Sequence, residues 1–101
     1  MIFVAGTMNM NPGVMADFVR DVAAMRPKVL AEAGCSHYSL LVEDAASGLV
    51  NVLEQWEDVA ALKVHFKQPW VTEFFARYGP QLQASTLQVY DIAAVHPLPG
   101  M

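Results

Sequence analysis

The chain is short of charge. Only 16% of its 101 residues are Asp, Glu, Lys or Arg. Six basic residues stand against ten acidic ones, a net charge of −4, and the basic ones are scattered. A polyanion binder needs a basic face, so nucleic acid is excluded as a partner. There is one cysteine, Cys35, which cannot close an internal disulfide and fits a reducing compartment. No apolar run approaches the ~20 residues of a membrane span. The opening MIFVAGTMNM has neither the basic start nor the long apolar stretch of a secretory signal. These absences point to a soluble, cytoplasmic protein with no membrane partner. Internal repeats and low-complexity linkers are also missing.

What is abundant is apolar surface. The hydrophobic share is 54% and the mean hydropathy is +0.30, which excludes intrinsic disorder. The length allows one domain. A chain of this size buries only ~65% of its unfolded surface by itself. The surplus therefore points to a subunit interface, a ligand cavity, or both.

Residues 2–10 are rich in strand formers and read as a first strand. Asn11–Pro12 is a helix start, with Asn as cap and Pro at the first helical position. Met15, Phe18, Val22, Met25 and Val29 then recur at spacings of four and three, one stripe of an amphipathic helix. Pro27 should kink this helix and Gly34 should close it. Residues 35–43 and 49–56 read as a hairpin around the loop 44–48. Asp58 caps a short helix through Lys67, and Gln68–Pro69 breaks the chain. A helix carrying Trp70, Phe74, Phe75 and Tyr78 ends at Gly79–Pro80. Residues 86–95 read as the last strand. A domain of residues 1–95 is thus followed by a tail, 96–101, whose prolines disfavour regular structure. The order β-α-β-β-α-β predicts an α+β, ferredoxin-like antiparallel sheet with helices on one face. A second copy of the sheet is the simplest cover for the other face.

Side chains alternate across a strand. Ser36, Tyr38, Leu40 and Val42 share one face of the second strand, and Val50, Val52, Glu54 and Trp56 share one face of the third. Ala61, Leu62 and His65 form the inward stripe of the short helix. Tyr38, Glu54, Trp56 and His65, with Trp70 and Phe74, therefore compose an aromatic-ligand pocket with a few polar groups. A Glu54–His65 couple would fix the imidazole tautomer and suit it to proton abstraction. Asn51 points away from Trp56 unless a bulge intervenes. His37, His96 and Cys35 have no metal-ligand spacing, and no phosphate loop or nucleophile elbow is present. No metal and no cofactor is expected.

The stretch 34–69 resembles the antibiotic biosynthesis monooxygenase family of dimeric α+β barrels. The resemblance rests on Gly34–Cys35 ahead of Tyr38, on Glu54-Gln55-Trp56-Glu57 at the end of the third strand, on Ala60-Ala61-Leu62 leading to His65, and on Pro69. It implies a homodimer packed sheet to sheet, with a small aromatic, quinol or polyketide-like ligand between sheet and helices. It also implies oxygenation without metal or flavin. His65 and Glu54 would be catalytic, and Tyr38, Val52, Trp56, Trp70 and Phe74 would bind substrate. Trp56 matches the tryptophan of polyketide-oxidising members, but their strand asparagine falls on Val52. Glu54 and His65 match the small quinol-oxidising members. The haem-degrading pattern is absent, since the helix over 70–83 carries no histidine. A non-catalytic, stress-responsive binding module and a proton-transfer isomerase are the alternatives.

Overall fold

In a computed structural model describing residues 1–100, the first strand, β1 (Ile2–Met10), runs through the middle of an open antiparallel sheet. On one side it pairs with β3 (Leu49–Trp56), which pairs with β2 (Cys35–Asp44) at the far edge. On the other side it pairs with two short strands, β4 (Leu82–Ser85) and β5 (Gln88–Asp91). Three helices complete the ferredoxin-like α+β fold: α1 (Met15–Leu30), α2 (Val59–His65) and α3 (Pro69–Tyr78).

The last strand departs from the expected 86–95. It starts earlier because the single turn Gly79–Gln81 after α3 returns the chain directly to the sheet. It stops at Asp91 because β1 itself runs out there, Ile92 N–H donating to the Met1 carbonyl at 3.1 Å. The break between β4 and β5 is held by Thr86, whose amide donates to the Thr7 carbonyl and whose hydroxyl accepts from the Thr7 amide, each at 2.9 Å. The chain is without helix or strand from Ile92 to Gly100, which takes in the expected tail 96–101 except Met101, a residue outside those described.

Asn11 does cap the chain entering α1, its side chain accepting from Gly13 N–H at 3.0 Å. The first turn, Pro12–Val14, is a 3₁₀ turn, and the α-helix begins at Met15. Pro27 lies inside α1, whose helical backbone continues past it to Leu30. The stripe Met15, Phe18, Val22, Met25 and Val29 is buried as its spacing requires. It packs on the inner sheet face, where Ile2, Val4, Met8, Met10, Tyr38, Val50, Val52, Glu54 and Trp56 are buried. Each fully buried large apolar side chain contributes about 1.5–3 kcal/mol. The opposite face is bare: Leu41 and Leu53 are 65% and 42% exposed.

Candidate active site

Strand register builds the site floor. Tyr38 lies opposite Glu54, and Cys35 lies opposite Trp56, with a bulge between Cys35 and His37. Glu54 and Trp56, two residues apart on one strand, project side by side. The indole of Trp56, with no exposed surface, donates its Nε1–H to Glu54 Oε1 at 3.0 Å. The roof comes from α2, started by Asp58, whose side chain accepts from Ala61 N–H at 2.8 Å. This helix delivers His65 onto the floor, with ring centroids 4.7 Å from Trp56 and 5.9 Å from Tyr38.

The partner of His65 is not the one expected. Nδ1 meets Glu32 Oε2 at 2.8 Å, and both side chains are almost wholly buried. Glu54 is taken by the indole of Trp56 beside it. Glu32 reaches His65 from the turn after α1 because that turn comes very close to α2. Gly34 adopts φ +86°, and a Cβ there would stand 2.8 Å from the Ala61 Cβ. Only glycine accepts both the left-handed conformation and the approach. The Gly34 carbonyl also accepts from Glu57 N–H at 2.7 Å, tying the turn to the start of α2.

Burial sets the electrostatics. It pushes the Glu54 carboxyl above the ordinary carboxylate range, opposed by the Trp56 N–H and by nearby His65. Tyr38 is held far above the usual phenol range, mainly by burial and then by the facing Glu54. Burial also raises the Cys35 thiol, which suits a packing role better than a nucleophilic one.

An aromatic-walled open space lies next door. A cleft of about 170 Å³ runs between α1 and α3, lined by Met25, Lys28, Trp70, Phe74, Arg77 and Tyr78 among others. Tyr38, Glu54, Trp56 and His65 do not line it. They are packed into the core behind it, which corrects the expectation of one pocket holding all six residues. Met25, Trp70 and Phe74 belong both to the cleft wall and to the packing around Trp56. At the far end Asp21 accepts from the Tyr78 hydroxyl at 2.5 Å and from Arg77 at 2.7 Å. These bonds hold its carboxyl down at about 2. Lys28 Nζ lies 5.9 Å from the Trp70 ring centre, within cation–π range. Trp70 Nε1 is buried without a hydrogen-bond partner among the described residues.

Val52 is buried in the other half of the core, with Val50, Phe18 and Tyr78. Asn51 is exposed on the outer face, between Thr7 and Leu41, so no bulge turns it inward. His37 is exposed, its Nε2 bonded to the Ser39 hydroxyl at 2.8 Å. Sequence reasoning missed Glu32, Asp21 and Arg77. It placed Met25 and Tyr78 only as members of helical faces.

Fold and site together define a one-sided ferredoxin-like sheet whose helices cover a buried Tyr–Glu–Trp–His group. The model of the antibiotic biosynthesis monooxygenase family matches residues 1–77, and the chain belongs to that family. An uncharacterised protein of Synechocystis is 28% identical over 99 residues, covering 96% of this chain and 67% of the relative. A candidate antibiotic biosynthesis monooxygenase from Caulobacter crescentus superposes with a TM-score of 0.80 at 27% identity, covering 92% of this chain and 90% of that one. A Pseudomonas aeruginosa protein gives 0.78 at 28% identity, covering 92% and 94%. A candidate monooxygenase from Deinococcus radiodurans shares the fold, with a TM-score of 0.83 at 18% identity over 99% of this chain and all of its own.

Proposed function

We propose that the protein is a cofactor-independent monooxygenase for a small aromatic, quinol or polyketide-like substrate. The observation that carries the proposal is the buried imidazole of His65, packed against Trp56 and bonded to a carboxylate, directly behind an aromatic-walled cleft. The ring of the substrate enters between Trp70 and Phe74. Met25, flexible along its side chain, moves aside to admit it toward Trp56 and His65. His65 removes a proton from the substrate, and the resulting electron-rich anion reduces dioxygen. In the case of an activated CH₂ group, carbon gains one oxygen as a carbonyl. The other oxygen leaves as water with the two hydrogens removed. The protein supplies the base, the orientation and a dry site.

The assembly proposed with this activity is a homodimer through the bare sheet face that carries Leu41, Leu49 and Leu53. It gives that apolar surface a cover.

An oxygen electrode with a panel of hydroquinones and naphthols tests the activity. The expected result is uptake that falls about 10²–10⁴-fold in His65→Ala, the range of general base catalysis. No turnover across the panel, or turnover unchanged in His65→Ala, refutes it. The tight packing of Tyr38, Trp56 and His65 favours one second reading, a non-catalytic module that binds the ring in the outer cleft. Ligand-dependent quenching of tryptophan fluorescence without oxygen uptake would select it.

A further inference from the structure

Building on the reading of His65 as the base, we propose that Glu32 is its positioning residue. It fixes the Nδ1–H form of the imidazole and so makes Nε2 the atom that accepts the substrate proton. In neutral histidine free in water the Nε2–H form predominates, so this assignment reverses the default. The bond from His65 Nδ1 to Glu32 Oε2 is 2.8 Å, a length usual for a charge-assisted contact. A carboxyl group is intrinsically more acidic than an imidazolium. The carboxylate is therefore the acceptor, and Nδ1 must carry the hydrogen.

The surroundings leave little choice. Glu32 Oε1 is buried and has no partner among the described residues. The imidazole N–H is thus the one hydrogen bond compensating this buried carboxylate, and losing it would be costly. Ring rotation is opposed by Trp56 and Phe66, at centroid distances of 4.7 and 5.4 Å. Glu54 makes no hydrogen bond to the ring, and its Oε1 accepts from the Trp56 indole instead. The ionisable groups that face His65 are Glu32 from the turn after α1, Tyr38 from β2 and Glu54 from β3. Of these, Glu32 alone makes a hydrogen bond to the ring.

The experiment is long-range ¹H–¹⁵N NMR on the full chain in a His37→Gln/His96→Gln background, where His65 gives the only imidazole signals. It needs neither substrate nor oxygen. Its outcome is therefore separate from that of the oxygen-uptake assay. At alkaline pH, neutral His65 is expected to show a protonated Nδ1 and a bare Nε2. In Glu32→Gln the amide oxygen still accepts the bond, so the form persists. In Glu32→Ala the Nε2–H form appears as well. In turnover, Glu32→Gln keeps the kcat that Glu32→Ala loses, while KM changes little in either, a split that a purely structural role would not produce. An Nε2–H form in the otherwise unaltered chain overturns the proposal, even if the Glu32 variants do not fold. So does an unchanged form in Glu32→Ala.

Discussion

Replacing Trp56 with phenylalanine separates packing from hydrogen bonding at the centre of the site. Trp56 has no exposed surface, so the substitution leaves a void where the second ring stood. Losing the equivalent of two to three buried carbons costs about 2 kcal/mol. It also removes the donor to Glu54 Oε1, 3.0 Å away. A hydrogen bond to a buried ionised group contributes about 1.5–3 kcal/mol. The total, about 3.5–5 kcal/mol, is a large share of a typical domain stability of about 5–15 kcal/mol. The two parts differ in pH dependence. Burial already raises the Glu54 carboxyl in the folded state, and the Trp56 N–H opposes that rise. A raised carboxyl binds its proton more tightly when folded, so stability falls as pH climbs from the ordinary carboxylate range through the raised value. Without Trp56 the rise is larger and more stability is lost over that climb. Urea unfolding at fixed protomer concentration, at pH 4 and pH 8, should therefore give a cost near 2 kcal/mol at the lower pH. The cost should be larger by at least ~1 kcal/mol at the higher. A cost that is the same at both, or smaller at pH 8, refutes the role given to this bond. Glu54→Gln is the control: its amide oxygen still accepts from the indole, and it should be more stable than wild type at pH 8 but not at pH 4.

Other substitutions probe the frame around the site. Tyr78→Phe removes the largest influence holding the Asp21 carboxyl at about 2. NMR titration should show Asp21 moving up toward 3.8, so that its stabilising contribution, lost as pH falls through the folded value, disappears at a higher pH than in wild type. No movement would disprove the contact. Gly48→Ala places a Cβ 1.9 Å from the Met10 carbonyl oxygen at φ +76°. It should lower Tm by well over the roughly 4–8 °C that each kcal/mol produces in a domain of this size, and a near-native Tm would contradict the turn geometry. Leu53→Glu puts a charge on the bare sheet face, where Leu53 is 42% exposed in the single chain. Sedimentation should show a dimer for wild type and a monomer for the variant, with helix content retained. A wild-type monomer at micromolar concentration would refute the sheet-to-sheet assembly.

The parts of the fold that repeat were legible in the sequence. The stripe from Met15 to Val29 and the alternation from Val50 to Trp56 are periodic, and periodicity maps directly onto burial. The hairpin turn and the Asp58 cap follow from local backbone chemistry. The last strand was misplaced because its limits are set from outside. They depend on where β1 ends at Ile2 and on how Gly79–Gln81 returns the chain, neither of which the pattern of residues 86–95 records.

The same distinction explains what was legible of the site. Alternation correctly put Tyr38, Glu54 and Trp56 on one face, and helical spacing turned His65 toward them. The partner of His65 was missed because it comes from a turn. Glu32 is 33 residues away in sequence, and nothing periodic links the two. What brings them together is the left-handed backbone at Gly34 and its close approach to Ala61. Gly34–Cys35 already formed part of the resemblance to the family, but as a bare pattern it carried no physical meaning. The structure supplies one: a side chain at residue 34 would push α2 away, lengthen the 2.8 Å bond and leave the Glu32 carboxylate buried without a donor. A glycine that looks like a helix terminator is thus also a determinant of the histidine's hydrogen bond, and through it of the proposed proton chemistry.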